Sequence, residues 1–267
     1  MTEPTDQRPS GEGPSGAVPA STVPAGPVLG QVSPKPAGLP IRVVGVVAPG
    51  RQVADFVLGH GADPVRELAR QGWGAVRLTE ASLGQDGALL LSYRVHPATP
   101  LTAGDERPVP TDPGLVLAEG EQAHPYQRAA AYAVVTGPPG VLLTQLSEAT
   151  SAPGRWTLAG GGLDPGESPE QALHREVWEE SGQVVTDVRL LELQTSHWVG
   201  RAPSGRLEDF HAVRIVYAAS CPSPTDLVVH DVGGSTSAVR WVREEELGRY
   251  PLVRSFGPHL RRWLGQS

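Results

Sequence analysis

"GGLDPGESPEQALHREVWEESGQ", residues 161 to 183, joins a glycine-rich loop to a helix with three glutamates, Glu176, Glu179 and Glu180, in its second half. Ser168 opens the helix, Pro169 takes its first position and Gln171 stands three residues after the cap. In that pattern the cap and the third residue satisfy each other's free N–H groups. Gly182 supplies the stop. Successive helical residues turn by about 100°, so Glu179 lies about 60° to one side of Glu176 and Glu180 about 40° to the other. The three carboxylates therefore share a face. Leu173 and Val177 form the core stripe beside Glu180, and Arg175 can pair with Glu179 four residues on.

This arrangement opposes itself. Glu176 and Glu180 repel at i,i+4 by about 0.2–0.5 kcal/mol. Glu179 and Glu180 sit in the last turn, where the helix dipole disfavours an anion by about 0.3–1 kcal/mol each. Arg175 offsets only part of that. A surface helix would mix its signs or place acids in the first turn, whereas a hard divalent cation, Mg²⁺ or Mn²⁺, removes the conflict. Gly160, Gly161 and Gly162 allow a close backbone approach to a ligand. Their N–H groups and the helix N-terminus suit phosphate oxygens. The loop and the acidic helix together point to a metal ion and a polyphosphate.

The whole 267-residue chain sets limits on function. It carries 22 basic and 29 acidic residues, a net charge of −7. A broad nucleic-acid footprint, and hence a duplex partner, is not expected. Cys221 is the single cysteine, so the chain can form no internal disulfide or cysteine cluster; the residue reads as packing rather than reactive. The start "MTEPTDQRPS" is not a signal peptide, and runs such as "VVGVVA" are too short to span a bilayer. A cytoplasmic protein with no membrane partner is the expectation.

Three regions are expected. Residues 1–40, proline-rich and without aromatics, read as a disordered tail. Residues 41–119 read as a small α+β domain in the order strand, helix, strand, strand. Its helix starts at Asp63 and Pro64 and stops at Gly72. His60 and Asp63 in "GHGAD" read as a loop histidine and a helix cap rather than metal ligands. Residues 120–267 read as a second domain. Its strands fall in "RAAAYAVVT", "VLLTQLS", "VVTDVRLLELQTSHW", "DFHAVRIVYAAS", "DLVVHD" and "SAVRWV", and two closing helices in "REEELGR" and "VRSFGPHLRRWLG".

The stretch 161–183 resembles the Nudix box: glycine, five residues, glutamate, seven residues, then Arg-Glu-aliphatic-any-Glu-Glu-any-Gly-aliphatic. Gly161, Glu167, Arg175, Glu176, Val177, Glu179, Glu180 and Gly182 match. Gln183 departs at the final aliphatic position, where Val184 or Val185 could take over the packing. Ala159 stands where the family commonly has proline. The resemblance covers about residues 122–267. It implies an α/β Nudix fold, a mixed β-sheet between helices, and hydrolysis of a nucleoside diphosphate linked to another moiety. It further implies that Glu176, Glu179 and Glu180, with the carbonyl of Gly160, hold Mg²⁺ or Mn²⁺. Arg175 would orient the acids, and Glu167 would support the loop or the metal shell. Glu176 is the first candidate for the base, and Glu208 or Asp209 the second.

Around this core, Gly161, Gly162, Glu167 and Arg128 are the expected contacts to a small-molecule nucleotide or nucleoside diphosphate derivative. Trp178 points away from the acids and reads as packing on another element. Trp156, Trp241 and Trp263 read as core, and His211 as a surface-facing histidine. The first domain could act as a docking or homodimer surface. The alternative function is a non-catalytic nucleotide sensor of the same fold. The intact acids favour the enzyme, since a pure binder has no need of a destabilising trio.

Overall fold

Among valine-rich segments, Ile41–Val47 (β1) is buried enough to sit inside a sheet. Residues 38–102 and 108–266 are described in the computed structural model; the expected tail at 1–40 lies, up to residue 37, outside them. Four strands form the first sheet: β1, Arg51–Val57 (β2), Trp73–Leu83 (β3) and Leu89–Pro97 (β4), in the order β2-β1-β4-β3. β1 runs parallel to β4, and the other pairs are antiparallel. β2 is an addition to the expected order. It is an edge strand whose one buried residue is Ala54, so it lacks the alternation that marks a half-buried strand. Between β2 and β3 lies Pro64–Arg70 (α1), where Asp63 accepts the Arg66 N–H at 2.9 Å.

The second sheet holds His124–Gly137 (β5), Gly140–Leu146 (β6), Trp156–Thr157 (β7), Ala159–Gly162 (β8), Thr186–Arg201 (β9), Leu207–Ser220 (β10) and Thr236–Val242 (β11). Its order is β11-β6-β5-β10-β9, with β7 added to β6 and β8 to β5. The β5–β10 pair is parallel and its neighbours antiparallel, so the sheet is mixed. The β5–β6 hairpin pairs only at its closed end, Thr136 with Val141 and Gly137 with Gly140. Beyond that the strands part, and β7 and β8 fill the gap. The triple glycine is thus a short strand rather than a loop, a correction to the sequence reading. The reason is steric: at Gly160, with φ +140°, a Cβ would lie 2.2 Å from the Ala131 carbonyl oxygen, so only glycine lets β8 lie this close to β5.

Helices cover both faces of this sheet. Pro169–Ser181 (α2) buries Ala172, Leu173 and Val177 in a core with Ala129, Ala131, Val213 and Ile215. That core continues without a break into Ile41, Leu68, Leu89 and Leu91 of the first sheet and α1. On the opposite face, Val134, Leu143 and Val216 meet Phe256, Leu260 and Trp263. These come from the C-terminal segment, which contains a 3₁₀ turn at Glu244–Arg249 and Leu260–Leu264 (α3). No helix among the described residues is long and apolar enough to cross a membrane.

Two further expectations are corrected. "DLVVHD" is not a strand. Its N–H groups go to the end of α2: Val228 to the Ser181 carbonyl at 3.1 Å, and His230 to that of Glu179 at 2.7 Å. The last carbonyls of a helix lack intrahelical donors, and this segment supplies them. His211 is fully buried rather than surface-facing, because β9 and the β2–α1 loop cover its side of β10.

Candidate active site

Helix α2 begins and ends as its sequence dictates. Ser168 accepts the Gln171 N–H, the Gln171 side chain accepts the Ser168 N–H, and Gly182 closes the helix in the left-handed conformation at φ +70°. With both ends fixed, the acidic turn faces β8. Arg175 is the hub. It donates from Nε to Glu167 Oε1 at 2.9 Å, from Nη2 to Glu167 Oε2 at 2.8 Å and to the Gly162 carbonyl at 3.0 Å. Its Nη1 donates to Glu176 Oε1 at 2.9 Å and Glu179 Oε2 at 3.1 Å. One guanidinium thus joins loop, strand and helix. Its pKa rises through these partners, Glu167 first, and that of Glu167 falls through the same bond.

Glu176 lies directly over the glycine strand. A Cβ on Gly161 would sit 2.4 Å from Glu176 Oε1, so a side chain there would displace the carboxylate. Burial raises the Glu176 pKa, and Arg175 opposes the rise. A Cβ on Gly162 would lie 2.7 Å from the Arg128 guanidinium. Arg128 is exposed and makes no hydrogen bond or ion pair among the described residues. Glycine at 161 and 162 makes room for these two side chains.

Glu180 turns inward and is only 3% exposed. Its Oε2 accepts the Gly160 N–H at 2.9 Å, and its Oε1 accepts the Thr236 hydroxyl at 2.6 Å. Burial pushes its pKa up to about 7. The Gly160 N–H is therefore engaged by a carboxylate and is not free for phosphate. Thr236, on β11, was missed by the sequence reading, and nothing in "STSAVRWV" marks it.

The structure thus brings together Gly160, Gly161, Gly162, Glu167, Arg175, Glu176, Glu179 and Glu180, with Arg128 at the edge. Glu208 and Asp209 are engaged otherwise: Glu208 pairs with Arg206, and Asp209 bonds His197 at 2.5 Å. Trp178 is 49% exposed and stacks on His230, ring centroids 4.2 Å apart. A cavity of about 400 Å³ lies apart from these acids, lined by C-terminal residues including Tyr250, Leu252 and Arg261.

The residues fit a hard divalent cation. Glu176 and Glu179 present partly exposed carboxylates side by side, Glu180 retains lone pairs beyond its two bonds, and Gly161 lets the Glu176 carboxylate lie against the strand.

A family pattern described as the NUDIX domain matches residues 126–264, more than half of the chain. The chain belongs to the Nudix family. The Nucleoside triphosphatase NudI of Salmonella schwarzengrund (strain CVM19633) is 34% identical over 103 residues, 38% of this chain and 70% of that protein. Among solved structures, a MutT NUDIX hydrolase from Burkholderia pseudomallei is 25% identical, with a TM-score of 0.40, over 51% of this chain and 96% of that one. The NUDIX domain of Shewanella oneidensis NrtR complexed with ADP ribose is 22% identical, with a TM-score of 0.43, over 57% and 92%. The Nudix box is the turn that Arg175 holds together. Its one departure, Gln183, is buried and polar: its side chain donates to the Ser181 and Thr225 carbonyls and accepts the Thr225 N–H at 2.9 Å. Val185 is buried and Val184 is 71% exposed, so Val185 takes the apolar place.

Proposed function

We propose that the chain is a pyrophosphohydrolase that cleaves a phosphoanhydride bond in a nucleoside diphosphate derivative by attack of water on phosphorus. The observation that carries the reading is the Arg175 hub, which holds Glu176 and Glu179 beside a glycine strand with the exposed guanidinium of Arg128 at its edge. Mg²⁺ or Mn²⁺, held by Glu176, Glu179, Glu180 and the Gly160 carbonyl, would supply positive charge against the phosphate oxygens and make an adjacent water more acidic. Arg128 is placed to receive a phosphate oxygen. Gly161 and Gly162 let Glu176 and Arg128 lie against the strand, where both can face the substrate. Arg175 keeps the two carboxylates in register, so little reorganisation remains for the reaction itself. The water oxygen bonds to phosphorus, the bridging P–O bond breaks, and Glu176 takes the proton. The products are a nucleoside monophosphate and a second phosphorylated product or phosphate.

The relatives named as nucleoside triphosphatases place nucleoside triphosphates in the test panel beside nucleotide sugars, dinucleoside polyphosphates and ADP-ribose. Turnover is measured with and without Mg²⁺, then repeated in oxygen-18 water on whichever substrate reacts. The expected result is Mg²⁺-dependent turnover with label in a phosphate group of one product. Glu179→Gln should lower kcat by about a hundredfold or more with no fall in melting temperature. Nucleotide binding without turnover by any panel member would instead favour a sensor of the same fold.

A further inference from the structure

Away from the Nudix box, the β2–α1 loop meets β9 and β10 through three histidines and two aspartates. His60 comes from the loop, His197 from β9, and Asp209 and His211 from β10. His197 stands opposite His211 in the ladder, so both side chains and that of Asp209 share one face of the sheet. Asp209 Oδ1 is 2.5 Å from His197 Nε2, and its Oδ2 is 3.3 Å from His60 Nε2. These groups offer three ligand atoms, all within 4.8 Å of one another.

The place is built. At Gly61, with φ +74°, a Cβ would lie 2.4 Å from the His197 ring, so glycine is what lets the loop close on that histidine. Asp63 ties the same loop down twice, capping α1 and accepting the Thr195 hydroxyl at 2.8 Å, two residues from His197. His211 stands edge-on to His60 and His197, with ring centroids 5.7 and 6.0 Å away. Its Nδ1 is 2.7 Å from Gln127 Oε1, which places the hydrogen on Nδ1 and a lone pair on Nε2. That Nε2 is completely buried and has no hydrogen-bond partner among the described residues. A buried nitrogen lone pair without a donor is costly, and this one belongs to the ring packed against both His60 and His197.

We propose that His60, His197 and Asp209 bind a divalent transition-metal ion of the zinc class beside the buried His211 ring, and that the ion fastens the first sheet's loop to the Nudix sheet. Imidazole nitrogens with one carboxylate oxygen suit Zn²⁺, whereas Mg²⁺ prefers an all-oxygen shell. The acid cluster of Glu176, Glu179 and Glu180 offers only oxygen donors, so the two places select different metals. Zinc–ligand bonds near 2.0–2.2 Å put neighbouring donors about 3.3 Å apart, which the His60–Asp209 pair already matches. His197 and Asp209 would exchange their mutual hydrogen bond for bonds to the ion.

The test uses the full chain, stripped with chelator and then titrated with Zn²⁺ in excess Mg²⁺. Metal content and melting temperature are read for the wild type, His60→Gln and Glu179→Gln, and the visible d–d absorption of Co²⁺ reports nitrogen ligation. The expected result is one Zn²⁺ per chain, a higher melting temperature and a Co²⁺ spectrum showing imidazole ligands. His60 lies on a partly exposed loop, so its variant should fold. Loss of an outer partner of a metal ligand already weakens binding 10–100-fold, so loss of this ligand should cost at least about tenfold. Glu179→Gln should bind Zn²⁺ as the wild type does. Zn²⁺ binding undiminished in His60→Gln but lost in Glu179→Gln would place the ion at the Nudix box and overturn the proposal, as would a wild type that takes up no Zn²⁺.

Discussion

Glu180 has the least ordinary environment of the three box acids. It is buried, yet both oxygens accept hydrogen bonds, from Gly160 N–H and Thr236. Burial nonetheless prevails and lifts its pKa from 4.5 to about 7. The folded state therefore holds this proton more tightly than the unfolded chain. The associated stability is fully present below about pH 4.5 and lost as pH rises through about 7. His211 works in the other sense. Burial first, then the neighbouring histidines, lowers its pKa from 6.5 to about 4, so its contribution is lost as pH falls through that window. Comparison with Glu180→Gln isolates the glutamate. Without metal, the wild type should lose stability relative to the variant between pH 5 and pH 8, read by denaturant melts at each pH. Mg²⁺ should restore the wild type more at pH 8 than at pH 6, because binding competes with the proton. A pH-independent difference between the two proteins would reject the assigned shift.

At the scale of elements, α2 is specified by its own sequence at both ends. The capping box at Ser168 and Gln171 was legible because it depends on neighbours three residues apart. Ser168→Ala should cost about 1 kcal/mol in urea unfolding. Gly182→Ala should cost about 1–2 kcal/mol, since a Cβ there meets His230 and Val228 only at 3.4 Å and the penalty is that of the left-handed backbone. If both substitutions leave the urea midpoint unmoved, the helix is held by packing alone. The segment after Thr225 was misread for the opposite reason. "DLVVHD" has strand composition, but its backbone donors are taken by the α2 carbonyls, a partner more than forty residues away in sequence. The buried Gln183 joins that segment to the helix end with its side-chain amide. Its departure from an aliphatic residue thus has a structural use that spacing could not show.

At the scale of the whole molecule, one core passes from Leu68, Leu89 and Leu91 to Leu173, Val177 and Ile215. The boundary proposed near residue 119 separates stretches of sequence that share this core. A fragment of residues 120–267 would expose the apolar surface that the first sheet covers, and each large aliphatic side chain uncovered forfeits about 1.5–3 kcal/mol. The fragment should therefore melt well below the full chain or precipitate; a fragment as stable as the full chain in a thermal melt would show that the two parts are independent.

The sequence by itself determined the Nudix box, the start and stop of its helix, the shared face of its acids and most of the strands, because each rests on local spacing or a local cap. Tertiary structure alone decided what lies against those residues. It turned Glu180 onto Thr236, made the triple glycine a strand wedged beside β5, and buried His211 under the β2–α1 loop. These outcomes depend on contacts between residues far apart in the chain. Burial and hydrogen bonding there are set by which strands become neighbours, and spacing along one strand carries no record of that.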